Sequence, residues 1–378
     1  MKRLLLIVIS VLAPTASFRA IAAPDDAFAI ALQERMPTLL ATNHVPGAVV
    51  SYIKNGEVAW TKAFGVANLR IGVPMQPDMV FNHGSDGKVL TAWGIMRLVE
   101  QGKVQLDAPA NRYLKRWQIR STKFDPDGVT IRRLLSHTAG LTVPSFAEYP
   151  GFYKDYSQDS RLPSLVEVLE GIDKKAGPVV IKWQPGSTNV YSNGGFVILQ
   201  MVLEDVINES FAAFMQREVT KPLGLSSLEW AWTPQLEKRA ATPYDAQQKE
   251  AGYFQLACQA VGSANCTVSD FARFVASAVA GPHGEPVGRG VLKPETIAQM
   301  LEIQPNVQHG GLAYGISLIK GETFLSHIGM NTGWTARFAL AVNRREGFVV
   351  ANNSSLGLSL NQAVEDIWSE PMLGRNGK

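Results

Sequence analysis

Only two cysteines, Cys258 and Cys266, occur among the 378 residues, so the chain is no disulfide scaffold. Its six histidines show no His-Glu-x-x-His or paired-ligand spacing, and two cysteines complete no zinc signature, so the sequence implies no metal and no cofactor. No segment beyond the N-terminus has the roughly 18 consecutive apolar residues of a membrane-spanning helix. Dense Lys/Arg runs are lacking as well, which argues against a nucleic-acid partner. Internal repeats and low-complexity tracts are absent. The Gly/Pro-rich residues 281–290 neither follow a strand nor open a helix, so they make a poor phosphate cradle.

What stands at the N-terminus is a basic Met1-Lys2-Arg3, an apolar run over residues 4–13, and a small-x-small site at Ala20-Ile21-Ala22. That pattern reads as a secretory signal peptide over residues 1–22, and it predicts a periplasmic or secreted protein. A membrane anchor is the competing reading of the same run. The precursor carries 36 Lys plus Arg against 33 Asp plus Glu; losing Lys2, Arg3 and Arg19 leaves 36 minus 3, or 33, against 33. In an oxidising compartment the eight-residue spacing of Cys258 and Cys266 allows a disulfide. Two buried small side chains within an Ala-Val-Gly-Ser-Ala context is the other reading.

Hydrophobic periodicity lays out the rest. Residues 26–43 read as a helix, and residues 48–54 and 58–64 as a hairpin closed by Asn55-Gly56. Helical stretches are expected at 166–172, 194–207 and 211–219, and at 271–280 with Ser269 as its cap. Residues 314–319, 323–327, 334–343 and 347–352 read as consecutive strands, followed by a helix over 358–368. Strands at both ends with helices between them predict an α+β fold, one antiparallel sheet flanked by helices plus an all-helical unit. The expected division is an α/β domain of residues 23–84 and 251–378 and a mainly helical domain of residues 85–250.

The most informative motif is Ser85-Asp86-Gly87-Lys88, where a helix begins. Three residues apart on a helical face, its hydroxyl and amine form the minimal pair for a serine nucleophile activated by lysine. The first turn also offers the positive end of the helix dipole. The spacing alone is cheap, because Ser51/Lys54 and Ser317/Lys320 share it. Both of those lie in strands, where residues i and i+3 point to opposite faces. Partners make the difference. Tyr191-Ser192-Asn193 sits on a loop before a helix, where a tyrosine can shuttle a proton and an Asn can orient an amide. His327-Ile328-Gly329 at a strand end offers a basic ring and room for an acyl group. His309 competes with His327 but precedes the strands.

In this order and on these elements, the three motifs resemble those of the serine β-lactamase and penicillin-binding protein superfamily. The branch is that of class C β-lactamases, D-alanyl-D-alanine carboxypeptidases, D-amino-acid peptidases and related esterases. Leu134-Leu135-Ser136-His137-Thr138-Ala139-Gly140-Leu141, Pro185-Gly186 and Pro222-Leu223-Gly224-Leu225 are similar to further family positions. The resemblance runs from about residue 28 to 355. It implies a β-lactamase/transpeptidase-like fold and an acyl-enzyme on Ser85, with Lys88, depressed by burial and positive neighbours, as base. Tyr191 would relay the proton to the leaving group. Asn193, His327 and Gly329 would bind substrate, and the N–H groups of Ser85 and Met330 would form the oxyanion hole. The choice of base between Lys88 and Tyr191 stays open.

Two departures bear on substrate. Ile328 replaces the hydroxyl that usually helps hold a substrate carboxylate, and His327 replaces a lysine, so its charge depends on pH. Asp86-Gly87 is atypical too, with Asp86 either capping the helix or tuning Lys88. The sequence therefore predicts an exported serine hydrolase acting on an amide or ester bond of a small-molecule or peptide-like substrate. A small-acyl carboxylesterase and a penicillin-binding or sensing relative without turnover are the alternatives. Aromatic-rich residues 146–156 and 253–258 are the expected cleft walls.

Overall fold

A computed structural model describes residues 27–142, 161–171 and 177–374, with the backbone of residues 153–155. The expectations for residues 1–22 and for most of 146–156 lie outside the described residues. The chain opens with α1 (Ala27–Thr42), β1 (Gly47–Lys54) and β2 (Glu57–Asn68). Between those strands Asn55 and Gly56 both take positive φ, 55° and 78°, the two-residue turn whose twist matches paired strands. Then come β3 (Val73–Pro74), β4 (Val80–Asn82) and α2 (Gly87–Glu100). The central stretch carries α3 (Ile131–Leu135), β5 (Tyr153–Asp155), α4 (Leu165–Leu169), α5 (Asn193–Ile207), α6 (Phe211–Met215) and α7 (Pro234–Glu237). It ends in β6 (Phe254–Leu256), α8 (Gln259–Gly262), β7 (Asn265–Thr267), α9 (Val268–Ala276) and α10 (Pro294–Leu301). Four strands, β8 (Gly315–Ile319), β9 (Glu322–Asn331), β10 (Trp334–Ala341) and β11 (Glu346–Asn352), lead to α11 (Leu358–Leu373).

Both chain ends build one seven-stranded sheet in the order β3-β2-β1-β11-β10-β9-β8, antiparallel throughout. Its central strands alternate strictly. Val50, Ala339, Phe348 and Val350 face α1 and α11, while Val49, Phe338, Val349 and Ala351 face the larger core around α2 and α9. Helix α2 crosses that core with residues 87–96 and Leu98 all buried. A helix covered on every side is a core element, and each large side chain it buries contributes about 1.5–3 kcal/mol. Asp86, Gly87 and Lys88 at its start are therefore removed from water, while Ser85 stays partly exposed.

Several boundaries differ from the sequence expectation, each for a local reason. Helix α9 starts at Val268 because Thr267, not Ser269, accepts the Asp270 N–H at 3.2 Å. The stretch expected as one helix over 211–219 is α6 followed by a π-helical turn at Gln216–Thr220. Strand β9 does not end at His327; it pairs with β10 as far as Asn331, opposite Trp334.

Candidate active site

Ser85 is set in place from β4 onward. Asn82 ends that strand, and its side-chain oxygen accepts the Gly84 N–H at 2.9 Å, folding the chain into a tight 3-10 turn over Gly84–Asp86. The same oxygen accepts from Asn331 of β9 at 2.6 Å, and the Asn82 amide donates to Asn265 of β7 at 2.7 Å. Three asparagines thus tie the turn to two strands. Ser85 rides on this turn just ahead of α2, so it is not inside the α-helix as the spacing implied. Strand β9 passes hard against the turn. A Cβ on Gly329 would stand 1.9 Å from the His83 carbonyl oxygen, and one on Gly84 would stand 2.5 Å from Met330 N. Only glycine fits at both places, and the contact sets the backbone of Met330 against that of Gly84, the residue before Ser85.

Lys88, one step into α2, is completely buried, with Nζ 3.0 Å from Ser85 Oγ. It also donates to the Val261 carbonyl of α8 at 2.7 Å, and α8 is steadied by Gln200 of α5 accepting the Ala260 N–H. Burial drives the Lys88 amine well below the ordinary lysine range, and the nearby Asp86 carboxyl opposes this. The sequence expectation of positive neighbours is corrected here: desolvation does the lowering, and the close charge is an acid. From the other side, Tyr191 donates its hydroxyl to Ser85 Oγ at 2.9 Å. Burial and the charge of Asp86 push this phenol above its usual range, while the bond to Ser85 pulls it back, so it holds its proton. Phenol and amine thus both donate to the one serine oxygen, and the amine donates to the Val261 carbonyl as well.

Tyr191 is held by a residue that the sequence reading noted only as part of a family pattern. His137, at φ 57°, stacks on the Tyr191 ring at 4.3 Å between centroids, and its Nδ1 accepts the Ser192 N–H at 3.1 Å. Burial first, then the charges of Lys88 and His327, hold His137 far below the usual histidine range, so it is a neutral acceptor. Ser192 caps α5 by accepting the Gly195 N–H at 3.1 Å, which places Asn193, buried, at the first helical position.

His327 lies mid-strand in β9, with Nδ1 3.1 Å from Asp86 Oδ1. Asp86 makes no side-chain cap to α2; it is wholly buried, and burial raises its carboxyl while the His327 contact lowers it. Sequence reading had placed neither side chain against the other. A cleft of about 330 Å³ opens beside them, lined by His137, Tyr191, His309, Tyr314, His327 and Ile328 among others. His309, set aside as a competitor, shares this cleft. Residues 253–258 do not line it: Tyr253 packs on Trp232 and Trp334 and donates to the Ala241 carbonyl. Residues 307–315 form that wall instead. Cys258 and Cys266 are separate buried thiols, correcting the disulfide reading; one opens α8, the other is paired within β7, and burial raises both. Among the described residues no three His, Cys, Asp or Glu side chains gather as metal ligands.

The family model described as Beta-lactamase matches residues 32–365. Esterase EstB of Burkholderia gladioli is 30% identical over 236 residues, 60% of this chain and 55% of the esterase, so the match spans about half of that relative. The octameric penicillin-binding protein homologue from Pyrococcus abyssi superposes with a TM-score of 0.74 at 24% identity, covering 92% of this chain and 77% of that one. D-amino acid amidase from Ochrobactrum anthropi gives 0.72 at 19% identity, covering 92% and 100%. At these identities the structural likeness speaks for the fold alone, which is the β-lactamase/transpeptidase fold expected from the sequence.

Proposed function

The chain belongs to the Beta-lactamase family, and from that premise we propose that it is a serine hydrolase working through an acyl-enzyme on Ser85. The observation that carries the reading is the pair of contacts on one oxygen: Lys88 Nζ at 3.0 Å and the Tyr191 hydroxyl at 2.9 Å from Ser85 Oγ. Lys88, its amine held well below the ordinary lysine range by burial, takes the serine proton as Oγ attacks a carbonyl carbon. The resulting ammonium stays bonded to the Val261 carbonyl. Tyr191, already donating toward Oγ, passes its proton to the departing alcohol or amine and recovers one from Lys88. This direction makes Lys88 the base and Tyr191 the acid of acylation. The N–H groups of Ser85 and Met330 would stabilise the oxyanion, an effect worth roughly 10²–10³ in rate per donor. Asn193 and His327 would hold the substrate on either side.

The substrate reading is an uncharged ester or amide rather than a carboxylate-bearing β-lactam. Ile328 supports it, putting an apolar side chain where a carboxylate-binding hydroxyl usually stands. The resemblance to an esterase favours the ester arm. The N-terminal pattern of residues 1–22 supports export to the periplasm or medium. Side-by-side kcat/KM on p-nitrophenyl acetate, D-alanine amide and nitrocefin tests the proposal. The ester is expected to exceed nitrocefin by at least about tenfold, with all turnover lost in Ser85→Ala. A preference for nitrocefin overturns the substrate reading, and turnover surviving in Ser85→Ala overturns the nucleophile.

A further inference from the structure

The two departures from the family pattern, Asp86 inside the serine motif and His327 in the third motif, are 241 residues apart in the chain and touch in the fold. Asp86 Oδ1 meets His327 Nδ1 at 3.1 Å, and Asp86 Oδ2 is buried with no hydrogen-bond partner. Gly329, two residues along the same face of β9, leaves the space into which the Asp86 carboxyl fits; a Cβ there would come 3.2 Å from its Cγ. With Nδ1 turned inward, the outer edge of the His327 ring carries Nε2, and the ring lines the cleft. An uncompensated carboxylate at so dry a place costs several kcal/mol. The favoured form of the pair is therefore electrically neutral overall, with a proton held between Oδ1 and Nδ1. On whichever of those atoms it rests, the remaining ring hydrogen is on Nε2.

We infer that Asp86 is a positioning residue for His327, the two acting as one titrating unit that presents Nε2–H to the cleft as a donor for a carbonyl oxygen of the substrate. When the unit gives up its proton, Nε2 turns into an acceptor and that recognition reverses. The substrate's role rests on the hydrolase reading above; the proton count does not.

Few other charges among the described residues face the unit. On α2 stands Lys88, lowered well below the ordinary lysine range by burial. Arg337 of β10 is ion-paired to Glu365 of α11. His83, at the head of the turn, is buried against Phe271 and lowered to about 3, and His137 is likewise neutral. Tyr191 keeps its proton. His309, across the cleft, is the remaining imidazole.

Nitrogen-15 spectra of histidine-labelled protein test this directly, titrated from about pH 5 to about pH 10, with His327→Asn and His309→Asn assigning the signals. The wild-type protein is expected to show Nε2 of His327 bearing hydrogen at pH 7. Asp86→Asn, which cannot hold the proton, is expected to lose that hydrogen at lower pH. A wild-type His327 with a bare Nε2 at pH 7 overturns the inference, and needs no Asp86 variant to fold. So does an Asp86→Asn titration that matches the wild type. Because the spectra need no turnover, they answer even if the chain hydrolyses none of the substrates above.

Discussion

At the scale of single residues, the convergence of the proposed reacting groups was legible and their environment was not. Ser85, Lys88 and Tyr191 announce themselves by spacing and by the elements on which they lie, and the fold brings all three onto one oxygen. The two decoys, Ser51/Lys54 and Ser317/Lys320, fall in or beside strands β1 and β8, as their alternation required. What a motif cannot carry is the third dimension. The Asp86–His327 contact joins positions on different elements, and His137 reaches Tyr191 by stacking, which no spacing encodes. Burial of Lys88 has a consequence for stability. Its folded-state value is depressed, so below the ordinary lysine range of about 10.4 the unfolded chain binds a proton that the folded one does not. Stability on account of this group therefore rises with pH. Lys88→Met removes that dependence. The variant should be inactive, and its stability relative to wild type should be greatest near pH 7 and shrink toward pH 10. Urea denaturation at a series of pH values checks this, and a difference that grows with pH contradicts it.

At the scale of elements, turn chemistry was the surest guide. Asn55-Gly56 fixed the first hairpin, and the strand-rich C-terminal third folds as four consecutive strands. Errors fell where a residue has two meanings. Gly329 reads as a place for a strand to stop, yet β9 continues through it, because the glycine is there for the close pass of the nucleophile turn. Thr267 and Ser269 are both good caps, and only packing selects the first. The π-helical turn after α6 leaves no mark in an apolar pattern. Gly329→Ala puts a Cβ 1.9 Å from a backbone oxygen, with no flexible side chain to yield. The expected result is a fall in kcat/KM of at least about tenfold from a misplaced oxyanion hole. A loss of about 1–3 kcal/mol in stability from overpacking should accompany it. Chemical denaturation and ester kinetics on the same preparation check both, and a variant that matches wild type in each refutes the close-pass account.

At the scale of the whole molecule, the fold class was readable because strands cluster at both ends and helices lie between them. That layout leaves one antiparallel sheet as the economical solution. The sheet's two faces, one closed by α1 and α11 and the other continuous with the buried helix α2, explain why the Lys88 amine is so strongly lowered. A core helix thus delivers a dry lysine to a serine that also bonds Tyr191 of the cleft wall. The direct measurement is the intact mass of the protein after brief exposure to a fluorophosphonate or a slow p-nitrophenyl ester. A single adduct on Ser85 in the wild-type protein, missing from Ser85→Ala, is the expected result. An adduct that persists in Ser85→Ala, or that maps to another residue, contradicts it.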